Sequence, residues 1–360
     1  MLRDITAPPD QVPQTAWEQI IMNAATAERF FGYEHAFTHP VTRGIVIFLV
    51  SALVLTPMIF MGLRRTVQIA AATYAELWAR WRSWIWISMA LIVPILLGAA
   101  WVITGVFMLS LLCYREYARA TGIFREKMIS LSVVLGICLI SFAVIDNYPR
   151  LFFATPVLGI GLIAIVTIPQ DCPKGFIQRV ALGVMGYLFF GFSFGYLGLM
   201  TSDPLYRPLI LLLLLGVEMN DVFAYCSGRL FGGRKLLPGT SPGKTVSGAI
   251  GAVVLTTCMM VITGHFFMFP GTPMDRWPML IILGTGISVF GQFGDLLLSS
   301  IKRDIGIKDL GHLLPGHGGL LDRFDSLVII TPLYYHFLSL VLGPLGNGQA
   351  ERIISGGPLP

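Results

Sequence analysis

Ten apolar runs recur along this 360-residue chain, and they leave it little choice of fold. They lie at 44–63, 84–99, 101–117, 128–146, 151–168, 180–199, 207–227, 247–268, 278–299 and 326–343. A bilayer's hydrocarbon core takes roughly 20 apolar residues to cross as a helix. Only a helix or a closed barrel satisfies every backbone N–H and C=O in lipid. The chain is 55% hydrophobic and 12% charged, with a mean hydropathy of +0.74. Soluble domains carry about 25% charged residues. The expectation is an all-α, polytopic integral membrane bundle of about ten transmembrane helices. The second and third runs stand close together and Pro94 interrupts the second, so they read either as a tight hairpin or as one bent helix.

The basic residues decide between these. With ten spans, one set of loops holds eighteen Lys and Arg, from Arg64 and Arg65 through Lys302, Arg303 and Lys308 to Arg323. The other side, with both ends of the chain, holds seven. Fusing the second and third runs degrades this asymmetry. Ten spans are therefore preferred, with the basic side in the cytoplasm of a bacterial-type inner membrane and both termini outside. The formal charge of +5 does not point to nucleic acid, because it is spread among the loops. Cys113, Cys138, Cys172, Cys226 and Cys258 show no metal spacing and read as small hydrophobes. Nothing at the start reads as a signal peptide. Trp17, Ile20, Ile21, Ala24 and Phe31 recur at helical spacing, as in a helix lying in the interface or a partly ordered tail. The organisation expected is an extra-membrane segment at 1–43, an added span with a basic cytoplasmic loop at 44–83, an N-terminal bundle at 84–206, a catalytic region at 207–345 and a tail at 346–360.

Two polar, Gly-rich loops fall on the cytoplasmic face. The first belongs to "NDVFAYCSGRLFGGRKLLPGTSPGKTVSG", which opens at Asn220. Asp221 lies inside an apolar span, where an unpaired acid is costly and so marks function; the plainer alternative is a helix-pairing aspartate. "GTSPGKT" lacks the glycine spacing of a P-loop, since position 238 is Pro238, and no strand is expected before it. The ingredients of anion binding remain. Small residues from Ser241 to Gly243 expose backbone N–H groups, Lys244, Arg234 and Lys235 bring charge, and a helix starts after Lys244. In the second region Asp295 lies about one turn from the cytoplasmic end of the ninth span. Asp322 and Asp325, three apart, share a face if helical. Carboxylates from adjacent helix ends suit a hard cation such as Mg²⁺. Arg323 neutralises them or holds phosphate, and His317 with its two glycines lets backbone approach a ligand. His312 and His317 as zinc ligands are disfavoured, because their available partners are carboxylates.

From Ser299 to Asp325 the chain reads Ser-x-Ile-Lys-Arg, four residues, Lys-Asp-x-Gly, three residues, then Pro-x-His-Gly-Gly-Leu-x-Asp-Arg-Phe-Asp. This resembles the signature of the phosphatidate cytidylyltransferases, or CDP-diacylglycerol synthases. The Asp, Tyr, Gly-Arg, Phe-Gly and Ser-Pro-Gly-Lys-Thr elements of 221–245 resemble that family's upstream element. Met219-Asn220 departs from the Trp or Ala usual before the aspartate. The resemblance covers about residues 85–345 and leaves the N-terminal extension outside. It implies that CTP and phosphatidic acid give CDP-diacylglycerol and pyrophosphate, in a polar cavity open to cytoplasm and bilayer. It implies Asp295 and Asp322 as metal-holding residues, with Asp325 and Asp221 nearby and two cations in the site, at least one of them Mg²⁺. Lys244, Lys302, Arg303 and Lys308 are the candidates for phosphate contacts, with Ser241, His317 and Arg323 as further substrate-binding residues. Membrane lipids are partners, and the oligomeric state is open, a homodimer among the options. The rival readings are a CTP-dependent kinase of a polyprenol or other lipid alcohol, and an ion-coupled transporter. A transporter calls for matched broken helices in both halves, whereas these acids cluster in the C-terminal half.

Overall fold

The computed structural model describes residues 24–66, 70–311, 319–346 and 352–356. Its helices are α1 (Ala24–Phe31), α2 (Pro40–Thr66), α3 (Ala71–Leu97), α4 (Ala99–Thr121), α5 (Lys127–Ile145), α6 (Pro149–Thr167), α7 (Phe176–Gly186), α8 (Phe194–Met200) and α9 (Tyr206–Phe231). A hairpin, β1 (Lys235–Leu237) and β2 (Ser241–Thr245), leads into α10 (Val246–Thr263), α11 (Trp277–Asp304), α12 (Leu321–Phe324) and α13 (Leu327–Leu342). Among the described residues, ten helical segments are long and apolar enough to span a membrane; α7 and α8 join through the π-helical Tyr187–Ser193, and α12 and α13 count as one. The protein is a polytopic membrane bundle.

The second and third runs are separate helices. Gly98, at φ 138°, breaks the chain between α3 and α4, and a side chain there would strike the Phe30 carbonyl of α1. The basic loop expected at 64–83 is mostly helix instead, because α3 begins at Ala71 and carries Arg80 and Arg82 within it. Of the interfacial segment, Ala24–Phe31 is helical, while Trp17, Ile20 and Ile21 lie outside the described residues.

The centre is aromatic. Tyr117, Tyr187 and Tyr334 are fully buried, and each phenol donates to a backbone carbonyl: Leu182 at 3.1 Å, Thr155 at 2.8 Å and Leu209 at 3.0 Å. A phenol in lipid without such an acceptor is costly. Helices α9, α10 and α11 pack closely and share a polar seam. Asn220 Oδ1 accepts from Thr256 and Ser288, and Gln292 donates to Ser288 at 3.2 Å. At Gly284 a Cβ would lie 2.8 Å from Thr257 Cα, so glycine is what lets α10 and α11 touch.

The two faces differ. One holds the hairpin and the ends of α4, α9 and α11. The opposite face holds both described ends of the chain. There Arg29 donates to the Thr201 carbonyl at 2.9 Å and Arg207 to Gly32 at 2.6 Å, while Asp146 accepts the Ile354 and Ser355 N–H groups at 2.6 and 2.9 Å.

Candidate active site

The site begins with the spacing on α11. Asp295, Ser299 and Lys302 recur at four and three residues, so they stand on one face of the helix. Ser299 donates to Asp295 Oδ1 at 3.1 Å. Lys302 Nζ donates to Asp322 Oδ1 of α12 at 2.8 Å, in a pair whose side chains are only 10% and 8% exposed. Arg303, one residue on, is turned about 100° around the helix. It is exposed and donates to the carbonyls of Thr240 and Ile307, both at 3.2 Å. It ties the hairpin to the end of α11 and stands apart from the carboxylates.

The hairpin differs from the all-α expectation and explains "SPGKT". Ser241–Thr245 is a strand paired with β1 in register Leu237↔Ser241 and Lys235↔Thr245, rather than a loop of free N–H groups. It ends on Thr245, whose Oγ1 accepts from Gly248 N–H at 3.1 Å and caps α10. The strand aims Lys244 at α11, where Nζ lies 2.6 Å from Asp295 Oδ2. Ser241 stands half-buried at the other end of β2, and Lys308 is exposed in the turn beyond α11.

Asp322 and Asp325 do different work although they are three apart. Asp322 Oδ2 accepts the N–H groups of Leu310 at 3.2 Å and Gly319 at 3.0 Å, so both its oxygens are engaged. Asp325 is buried, accepts from Ser326 N–H at 2.7 Å, and its carboxyl meets that of Asp295. Asp221 of α9 adds its charge to the same neighbourhood, beside Lys244, Asp295 and Arg323. His317 and His312 lie outside the described residues.

Two carboxylates join that the sequence reading passed over. Glu218, one turn before Asp221 on α9, sits beside Asp221 and Arg323. Glu116, near the end of α4, accepts the Leu320 N–H at 3.1 Å and the Leu321 N–H at 2.8 Å. These open α12, so a residue more than 200 positions away caps the helix that carries Asp322. The approach is tight: a Cβ at Gly311 would lie 2.4 Å from Glu116 Oε1, and one at Gly319 would lie 2.7 Å from Oε2.

Six carboxylates thus face three cationic side chains, Lys244, Lys302 and Arg323. That surplus of negative charge, all in hard oxygen donors, is suited to Mg²⁺. Among the described residues no three acidic, Cys or His side chains are gathered closely enough to cage a metal. Mg²⁺ would be accommodated here only through one or two carboxylates, with water or substrate oxygens completing its shell.

The model of the cytidylyltransferase family matches residues 78–341. The chain belongs to the cytidylyltransferase family. It is accordingly a membrane-embedded nucleotidyltransferase, and the match takes in every helix of the site while leaving α1 and α2 outside. An uncharacterized protein of Escherichia coli K12, YnbB, is 32% identical over 269 residues, which are 73% of this chain and 87% of that protein. The phosphatidate cytidylyltransferase of Staphylococcus haemolyticus is 40% identical over 153 residues, and that of Staphylococcus aureus (strain COL) 39% over 155. In both, 42% of this cytidylyltransferase aligns with just 56% of the relative's length.

Proposed function

We propose that this cytidylyltransferase transfers CMP from CTP to phosphatidic acid, giving CDP-diacylglycerol and pyrophosphate. The observation that carries the reading is the meeting of Asp295 and Asp325, from two adjacent spans, with Lys244 brought onto Asp295 by the hairpin. The names of the staphylococcal relatives support the choice of acceptor.

In this reading an oxygen of the lipid phosphate attacks the α-phosphorus of CTP, and the bond from that phosphorus to pyrophosphate breaks in line. A phosphate nucleophile is already ionised at neutral pH, so no side chain need remove a proton. Both reactants are anions, and the carboxylate surplus alone would repel them. Asp295 and Asp325, with Asp221 nearby, would hold Mg²⁺, which would offset the charge on the phosphate oxygens. Lys244 exchanges its carboxylate partner for a phosphate, and Lys302 keeps Asp322 and the first turn of α12 in place. Pre-placed charges of this kind stabilise the transition state without covalent chemistry. The basic residues concentrated on the site's face support its exposure to the cytoplasm, where CTP is available.

The test is purified protein in detergent with Mg²⁺, dioleoyl phosphatidic acid and CTP labelled in the cytidine. Labelled CDP-diacylglycerol and stoichiometric pyrophosphate are expected, both abolished by chelation. Release of CDP with a newly phosphorylated lipid would mean γ-phosphoryl transfer instead and would overturn the reading.

A further inference from the structure

A cavity of about 460 Å³ lies directly under the carboxylate cluster, walled by α3, α4, α8, α9 and the start of the α12–α13 segment. Its lining is apolar throughout. Three elements run from it straight into the site. Leu112 lies one turn before Glu116 on α4, Leu214 one turn before Glu218 on α9, and Leu320 and Phe324 alternate with Asp322 and Asp325. From Leu112 the α4 wall continues to Val102, about 15 Å deeper at 1.5 Å per residue. The mouth is lateral: Trp86 and Met108 line the cavity yet are 70% and 51% exposed, on surfaces that face lipid in a spanning bundle.

Between α3 and α4 the slot is kept open at one short residue. Gly105 faces Pro94, whose ring would lie 3.9 Å from a Cβ at 105, and Pro94 sits in the last turn of α3 just before the Gly98 break. A branched side chain at 105 would project into the cavity.

We propose that this cavity holds one acyl chain of the phosphatidic acid acceptor, the other chain staying in the bilayer. The inference rests on the function proposed above and adds where the lipid lies. A long apolar slot, closed toward the protein, open toward the membrane and ending at the phosphate-handling groups, anchors a chain whose headgroup must reach Lys244 and Lys302. It would also make turnover depend on chain length, since a chain long enough to fill the slot makes dispersion contacts that a short one cannot.

Two measurements test it. The first compares kcat/KM for dipalmitoyl and dihexanoyl phosphatidic acid in wild type and Gly105→Leu. The ratio of long to short chain should fall about tenfold in the variant, as expected when roughly ten dispersion contacts to the chain are lost; a ratio equal to that of wild type overturns the proposal. The second uses full-length wild-type protein in nanodiscs and phosphatidic acid with a diazirine at the end of one acyl chain. Photolabel should map to the deep end of the slot, at 94–95, 102–106 and 210, be displaced by unlabelled phosphatidic acid, and be lost in Gly105→Leu. Label elsewhere, or equal labelling of these segments by a matching phosphatidylethanolamine probe, overturns it. Wild-type protein that turns over neither lipid refutes the assigned reaction, and the photolabel then still decides whether the slot takes the lipid.

Discussion

Asp295 and Asp322 are each paired with a lysine, yet their surroundings make them respond differently to substitution. The Lys244–Asp295 side chains are 23% and 24% exposed, whereas Lys302 and Asp322 are 10% and 8% exposed. Removing one partner of a buried pair strands the other charge, at a cost of about 3–5 kcal/mol. Asp322→Ala would strand the Lys302 ammonium and leave the Leu310 and Gly319 N–H groups without their acceptor. It should therefore lower the thermal midpoint in detergent sharply and lose activity as a consequence. Asp295→Asn keeps an acceptor oxygen for Lys244 and Ser299 and relieves the repulsion from Asp325, so its melting temperature should fall far less than that of Asp322→Ala, and it should still release no pyrophosphate. The family resemblance treats the two as equivalent metal-holding residues. Burial is what separates them, and spacing does not report burial. Equal melting temperatures for Asp322→Ala and wild type would refute the structural role of this pair.

At the scale of elements, α12 is four residues long and is held in place from outside. Glu116 of α4 caps its first turn, and Gly311 and Gly319 leave room for that carboxylate. Gly319→Ala pushes a methyl group against Glu116, Gly311 and Asp322. Glu116→Ala removes the cap. Each should cost about 100-fold in kcat, the scale of a 1 Å misplacement of reacting groups, with a smaller change in KM. Because they break one clamp, the double variant should be little worse than the worse single, and a kcat double-mutant cycle reads this directly. Strict multiplication of the two losses would show that they act separately. How much of this was legible follows from distance along the chain. The helix start after Lys244 follows from local signals, and it is present. Glu116 was hidden because its partners are more than 200 residues away and because Arg115 and Arg119 make it resemble an ordinary charged helix end. Glu218 was findable: an acid inside an apolar span, three residues before Asp221, meets the same criterion that singled out Asp221. The β1–β2 hairpin was missed because five residues rich in Pro and Gly carry almost no strand propensity; pairing across the turn and anchoring by Arg303 supply what propensity lacks.

At the scale of the whole molecule, one question governs whether CTP can reach the site: which way the bundle faces. The answer can be read from a native thiol. Cys172 lies between α6 and α7 and is exposed. The chain leaves the site's face at the end of α4, turns, crosses in α5 and returns in α6, so Cys172 comes back on that face; Arg179 of α7 approaches Glu126, before α5, at 4.0 Å. The other exposed cysteines, Cys138, Cys226 and Cys258, fall within spans, which a charged reagent enters only at high cost. Residues 352–356, bound to Asp146, mark the opposite face. If the excess of Lys and Arg orients the bundle, a charged maleimide should modify Cys172 quickly in inverted inner-membrane vesicles and leave it unmodified in intact spheroplasts. A Ser355→Cys variant should show the reverse accessibility. Peptide mapping after a short pulse distinguishes the cases, and Cys172→Ser gives the background. Rapid labelling of Cys172 from outside intact spheroplasts would place the carboxylate cluster and the Lys244 hairpin away from the cytoplasmic nucleotide pool. No arrangement of the side chains could then make CTP the donor.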